Sequence, residues 1–268
     1  MTEEARANRI DTVLAQRPPG LWPFLAAGYP DLETTAALLR RLDDLPIRGV
    51  ELGFPFSDPI ADGPVIQQAF TTALSNGVRP GQIFDTVAEL RDAIRYPLLA
   101  MVSASIVYRV GIETFVERAS AAGFDGLIVP DISLEEAPAL ADAARRVNLR
   151  LSMLIAPTTP PDRQARIASV ASGFLYYVSV QGITGARDAL PPDLAPHLKQ
   201  IKTATDLPVL VGFGISTPAH VKAVCRVADG AIVGSAIVKE TTDSLDARLG
   251  STETINRLVR LVSNLTIG

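Results

Sequence analysis

Short β-type runs recur along this chain, and each pair is separated by enough residues for at least one helix. They are Trp22–Ala26, Val50–Phe54, Leu98–Val102, Gly126–Val129, Leu151–Ile155, Phe174–Val178, Val209–Gly212 and Ala231–Gly234, eight in all. Most are continuously apolar rather than alternating, which is the pattern of strands covered on both faces. Helical stripes lie between them. Leu32, Ala36, Leu39 and Leu42 follow Asp31, a residue type that caps helices well. Ile112, Phe115, Val116 and Ala119 make a second stripe, and Ser133 with Glu136 reads as a capping box opening a helix to about Val147.

Eightfold strand–helix alternation with no linker-like or low-complexity segment predicts a single α/β domain over residues 1–268, a (β/α)8 TIM barrel. An open doubly wound sheet is the alternative. It lacks its Gly-x-Gly-x-x-Gly after the first strand, and eight is the barrel number. From Val50 to Leu98 there is room for two helices, Pro64–Ser75 and Gln82–Ile94, so an extra helix is expected after strand 2. Another extra helix is expected at the N-terminus (Ile10, Val13, Leu14), and one at the end (Ile255, Leu258, Val259, Val262).

Composition narrows the partners. The 47% hydrophobic content supports a sizeable core, and a net charge of -4 with acids and bases mixed offers no basic stripe for nucleic acid. The lone Cys225 falls in an apolar helical pattern, reads as a small core residue, and fits a reducing compartment. MTEEARANRI has no apolar signal core, and no apolar run approaches the ~18–20 residues of a membrane span. A soluble, cytoplasmic protein with no membrane partner is expected.

The chemistry concentrates in ELGFPFSDPIADGP, Glu51 to Pro64. Glu51, Asp58 and Asp62 fall within twelve residues that contain no lysine or arginine. A buried carboxylate without a cation costs free energy, so such a residue points to a task. Alternation along strand 2 sets Glu51 and Gly53 on one side, and the small Gly53 favours the barrel interior with open space beside the acid. A core ion pair would be the structural alternative, but no interior strand position offers the cation. Asp58 in Ser-Asp-Pro reads as turn chemistry. Asp62, before Gly-Pro, suits a turn, a helix cap or a second acid over the barrel mouth, and spacing does not separate these.

Strand 7 ends in GFGIS and strand 8 in GSAIV. Loops after these two strands form the usual phosphate cradle of this fold, where glycines let backbone N–H groups approach an anion at a helix start. A phosphate monoester ligand is therefore expected. QGITGARDALPP after strand 6, with Gly182 and Gly185, suits either a lid or a plain surface loop, and Tyr176 suits core packing or a ligand contact. His197 and His220 lie in helical, expectedly exposed segments without metal-ligand spacing, so no metal is expected.

These stretches together resemble the tryptophan synthase alpha subunit family: ELGFPFSDPIADGP, with PFLAAGYPD at strand 1, VPD after strand 4, GITGAR after strand 6, and GFGIS and GSAIVK at the phosphate end. The likeness covers nearly the whole chain. It implies a lyase that splits indole-3-glycerol phosphate into indole and glyceraldehyde 3-phosphate, in tryptophan biosynthesis. Carried over motif by motif, Glu51 and Asp62 are the catalytic acids, and Phe24, Tyr176 and Thr184 contact substrate or the acids. Gly185, Gly214, Gly234 and Ser235 bind phosphate, while Pro55, Asp58, Pro59 and Asp131 lie toward the partner. The implied partner is the beta subunit, in an alpha2beta2 heterotetramer. Pyridoxal phosphate belongs to that subunit, and no cofactor is expected in this chain. A phosphate-binding barrel that regulates a partner without turnover is the other reading, but it would need neither Glu51 nor Asp62. One departure stands out: where the family usually shows Tyr-x-Asn after strand 3, this chain has Ser103-Ala104-Ser105.

Overall fold

The apolar runs become strands buried on both faces. A computed structural model describes residues 7–59, 62–178, 191–212 and 214–266. The strands are Gly20–Ala26 (β1), Val50–Gly53 (β2), Leu98–Met101 (β3), Gly126–Ile128 (β4), Arg150–Ile155 (β5), Leu175–Val178 (β6), Val209–Gly212 (β7) and Gly230–Val233 (β8). They close into a parallel barrel in chain order, with β8 returning to pair with β1. Each end lies within two residues of its expected place.

Six helices accompany the first half: Arg9–Gln16 (α1), Leu32–Leu42 (α2), Pro64–Ser75 (α3), Pro80–Leu90 (α4), Ala104–Val110 (α5) and Ile112–Ala122 (α6). Six follow: Ala137–Arg146 (α7), Pro161–Val170 (α8), Leu194–Ala204 (α9), Pro218–Cys225 (α10), Ser235–Asp246 (α11) and Ser251–Thr266 (α12). The expected extra helices are present as α1, the α3–α4 pair and α12. Asp31 caps α2, accepting from the Thr34 N–H at 2.6 Å. Three details differ from expectation. Helix α4 begins at Pro80 rather than Gln82, and its last expected residues form a 3-10 turn, Arg91–Ala93. The Ser133–Glu136 bonds form, but the regular helix starts only at Ala137. Helix α5 was not anticipated. Ser103 caps its start, and Gly111, at φ +93, ends it and lets α6 begin anew.

The core has two shells. Val50, Leu52, Leu98 and Ala100 face outward against the helices. Trp22, Leu99, Ile128, Phe174, Tyr176, Leu210 and Ile232 fill the barrel. Ile10 of α1, fully buried, stops the barrel's lower end beneath them, with Val13 and Leu14 beside it. Burying one such side chain is worth about 1.5–3 kcal/mol. Asn8 fixes this stopper by donating to the carbonyls of Asp125 and Asn148, each at 2.8 Å. The site must therefore open at the other end. Among the described residues no helix is long and apolar enough to cross a membrane.

Candidate active site

In parallel strands, residues in register project to the same face. Phe24 pairs with Glu51, and Glu51 with Leu99, an interior residue, so the carboxyl points into the barrel as alternation requires. It is completely buried, and neither oxygen has a hydrogen-bond partner among the described residues. Burial pushes its pKa well above the ordinary carboxylate range, in the direction that favours the neutral acid. The expected open space beside it is not there. A Cβ on Gly53 would meet the Phe24 ring at 2.6 Å and Phe70 at 3.1 Å. Gly53 is small because Phe24 fills that volume, and the glycine makes room for a wall of the pocket rather than for the ligand.

Asp62 stands above, between β2 and α3. Its N–H donates to the Pro59 carbonyl at 3.0 Å. Gln67 from α3 donates to the carbonyls of Asp62 and Pro59, at 2.8 and 3.3 Å, and fastens the turn. Gly63, not Asp62, is the N-cap of α3. The Asp62 carboxyl instead lines a cavity of ≈ 340 Å³ at the open end of the barrel. Partial burial pushes its pKa up to about 6.

The same cavity is lined by Phe24, Tyr176, Gly214, Gly234 and Ser235, so the acid end and the phosphate end face one volume. Glu51 lies behind this lining, close to Tyr176. Burial raises the Tyr176 hydroxyl pKa well above its usual value, and the charges of Glu51 and Asp62 add to the effect. Tyr176 thus packs in the barrel core and also lines the cavity, within electrostatic reach of both acids. A Cβ on Gly212 would meet the tyrosine hydroxyl at 2.2 Å, so this strand-end glycine also makes space for an aromatic side chain. Gly214, at φ +76, makes the turn after β7. Ser235 is the first residue of α11 and follows Gly234, which caps the helix without a side chain, so the leading N–H groups face the cavity end.

A family profile described as "Tryptophan synthase alpha chain" matches residues 10–265. The chain belongs to the tryptophan synthase alpha chain family. Its similarity to individual members is of the same extent. It is 46% identical over 256 residues to the tryptophan synthase alpha chain of Gloeobacter violaceus, covering 93% of each. The solved alpha chain of Legionella pneumophila is 32% identical with a TM-score of 0.87, covering 97% of both chains. A chain of the Pyrococcus furiosus tryptophan synthase complex is 34% identical with a TM-score of 0.83, covering 91% of this chain and 96% of that one.

Set against the tryptophan synthase alpha chain reading, the remaining expected residues fall into groups. Thr184 and Gly185, with Gly182, lie outside the described residues. Of the four residues expected toward a partner, Asp58 and Asp131 are exposed, whereas Pro55 and Pro59 are buried and shape the turn. Asp131 and the unusual Ser103 form one cluster. The Asp131 carboxylate accepts from the Ser103 hydroxyl at 2.7 Å and from the Ala104 N–H at 2.8 Å, and Ser105 approaches Ser103 at 2.8 Å. His220 is buried in α10, not exposed as expected, and Nδ1 of the half-buried His197 is 3.0 Å from the Tyr177 hydroxyl. Among the described residues no cluster of His, Cys, Asp and Glu could hold a metal ion. Sequence reading missed Lys239, which also lines the cavity. Its position four residues after Ser235, one turn along the same helix face, was the available signal.

Proposed function

We infer that this chain, acting as one barrel domain, cleaves indole-3-glycerol phosphate to indole and glyceraldehyde 3-phosphate, with Glu51 as proton carrier and Asp62 as electrostatic partner. The observation that carries the assignment is the fully buried Glu51 carboxyl, without a hydrogen-bond partner among the described residues, beneath a cavity that Asp62 also lines. A neutral acid in that place donates its proton to indole C3, which moves positive charge onto the ring nitrogen. The Asp62 carboxylate accepts the ring N–H and stabilises that charge. The side-chain hydroxyl then gives its proton back to Glu51, its carbon becomes the aldehyde, and the C–C bond breaks with its electrons returning to the indole ring. One residue serves as acid and then base. No cofactor enters this chemistry; pyridoxal phosphate belongs to the beta subunit. A binding barrel without turnover would have no use for an unpaired buried acid. The test is an assay of the purified chain with indole-3-glycerol phosphate, alone and with a beta subunit. Indole release supports the reading, and substrate binding without cleavage refutes it.

The phosphate end makes a separate prediction. Ser235→Asp sets a carboxylate against the ester and removes a donor, so glycerol phosphate should bind roughly ten- to a hundredfold more weakly. Thermal unfolding should change little, since Ser235 is exposed at the start of α11. Equal affinities in titration would place the phosphate elsewhere.

The Pyrococcus furiosus tryptophan synthase complex supports a beta-subunit partner, and the family resemblance supports an alpha2beta2 assembly and a cytoplasmic location. Ser103, Ser105 and Asp131 give that interface its own chemistry here. A beta subunit from a Tyr-x-Asn system is expected to stimulate this chain poorly compared with its own, and Ser103→Tyr with Ser105→Asn should shift the preference. Because Ser103 also caps α5 and holds Asp131, the tyrosine should cost about 1 kcal/mol of stability. Equal stimulation by both partners before the change would show that this loop does not set partner choice.

A further inference from the structure

Lys239 is the only cationic side chain lining the cavity among the described residues, and Asp62 the only acid. It lies on α11 four residues beyond Ser235, so the two side chains share a helix face. Its ammonium donates to Asp243 one turn further on, 2.8 Å from Oδ1, in a pair that is 62% and 46% exposed. Pairs this exposed are worth only about 0.2–1 kcal/mol, so the pairing does not hold the lysine away from a stronger anion. The helix start offers a phosphate dianion about half a positive charge and no formal cation. Lysine is a compact charge on a flexible stem that can meet the rest.

We propose that Lys239 selects for the phosphorylated substrate by passing its ammonium from Asp243 to the phosphate ester, with Asp243 as its resting partner. This rests on the reading that the phosphate sits at Ser235. The chemistry that distinguishes it is discrimination between a dianionic ester and the free alcohol at the same carbon.

The measurement is the ratio of kcat/KM for indole-3-glycerol phosphate over its dephosphorylated counterpart, indole-3-glycerol, in the full chain. Lys239→Met is expected to lower that ratio about two- to fivefold, and Lys239→Arg to preserve most of it. Asp243→Asn frees the lysine and should raise the ratio, the opposite direction from that of a pair that merely props the helix. Both shifts should shrink near 1 M salt, where the Debye length is about 3 Å. An unchanged ratio in Lys239→Met, or a lowered one in Asp243→Asn, overturns the proposal. The Ser235→Asp titration separates the two claims. A large Ser235 effect beside a silent Lys239 defeats this inference alone, whereas a silent Ser235 defeats the phosphate placement and this inference with it.

Discussion

Glu51→Gln is expected to lower kcat for indole formation by about 10²–10⁴-fold while substrate affinity stays within a few-fold of the parent. The amide keeps the shape of the neutral acid but can neither deliver a proton to C3 nor take one from the hydroxyl. Because the carboxyl is wholly buried and has no hydrogen-bond partner among the described residues, the same variant carries a second readout. The folded chain holds the Glu51 proton to higher pH than the unfolded chain does, owing to burial. Above the ordinary carboxyl range the native state therefore binds more protons, and the parent loses stability as pH rises, by at most ~1.4 kcal/mol per pH unit. Glutamine has no such dependence. Urea unfolding at pH 5 and pH 8 should thus show the variant gaining on the parent at the higher pH. Near-parent turnover would sink the catalytic assignment, and a stability difference independent of pH would mean that the carboxyl is not buried uncharged.

Asp62→Asn should cost roughly 10²–10³-fold in kcat, the range for removing one preorganised group that stabilises transition-state charge. Its pH dependence identifies it. Only the ionised Asp62 can offset charge on the indole nitrogen, and its pKa is pushed up to about 6. The kcat/KM of the parent is expected to fall as pH drops through that value, since this quantity reports groups of the free enzyme. The asparagine variant should be slow at every pH and lack that acid limb. A limb that persists near pH 6 in the variant belongs to another group and removes Asp62 from the mechanism.

Much of this was legible in the sequence, for identifiable reasons. Continuous apolar runs and helical stripes report burial directly, so strands such as Val209–Gly212 and the cap at Asp31 could be read from local pattern. Alternation put Glu51 and Gly53 on one side, and the small Gly53 was the reason to aim that side inward. What escaped were properties that depend on a neighbour brought in from elsewhere. Gly53 was read as space for a ligand, but the space belongs to Phe24, some thirty residues earlier. Ser103 looked like the loss of an aromatic side chain, but it caps α5 and bonds Asp131, which lies 28 residues on. Lys239 closes the GSAIVK stretch, but no role attached to it until α11 placed it along the cavity. Local grammar gives elements and faces; what touches across strands has to be seen.

The pairing of Phe24 with Gly53 also limits the routes by which this pocket can change over evolutionary time. The ring sits between two glycines, 2.6 Å from where a Gly53 Cβ would stand and 3.2 Å from that of Gly234. A lineage that first acquires alanine at 53 drives a methyl group into the ring, and the fold suffers before any new specificity appears. One that first shortens Phe24 opens a void with no collision and relieves the ring contact at both glycines, leaving Gly53 to meet only Phe70, at 3.1 Å. The same order holds for Tyr176 and Gly212, with a 2.2 Å approach. Drift toward a differently shaped substrate is therefore directional: the aromatic side chain must yield before its glycine can.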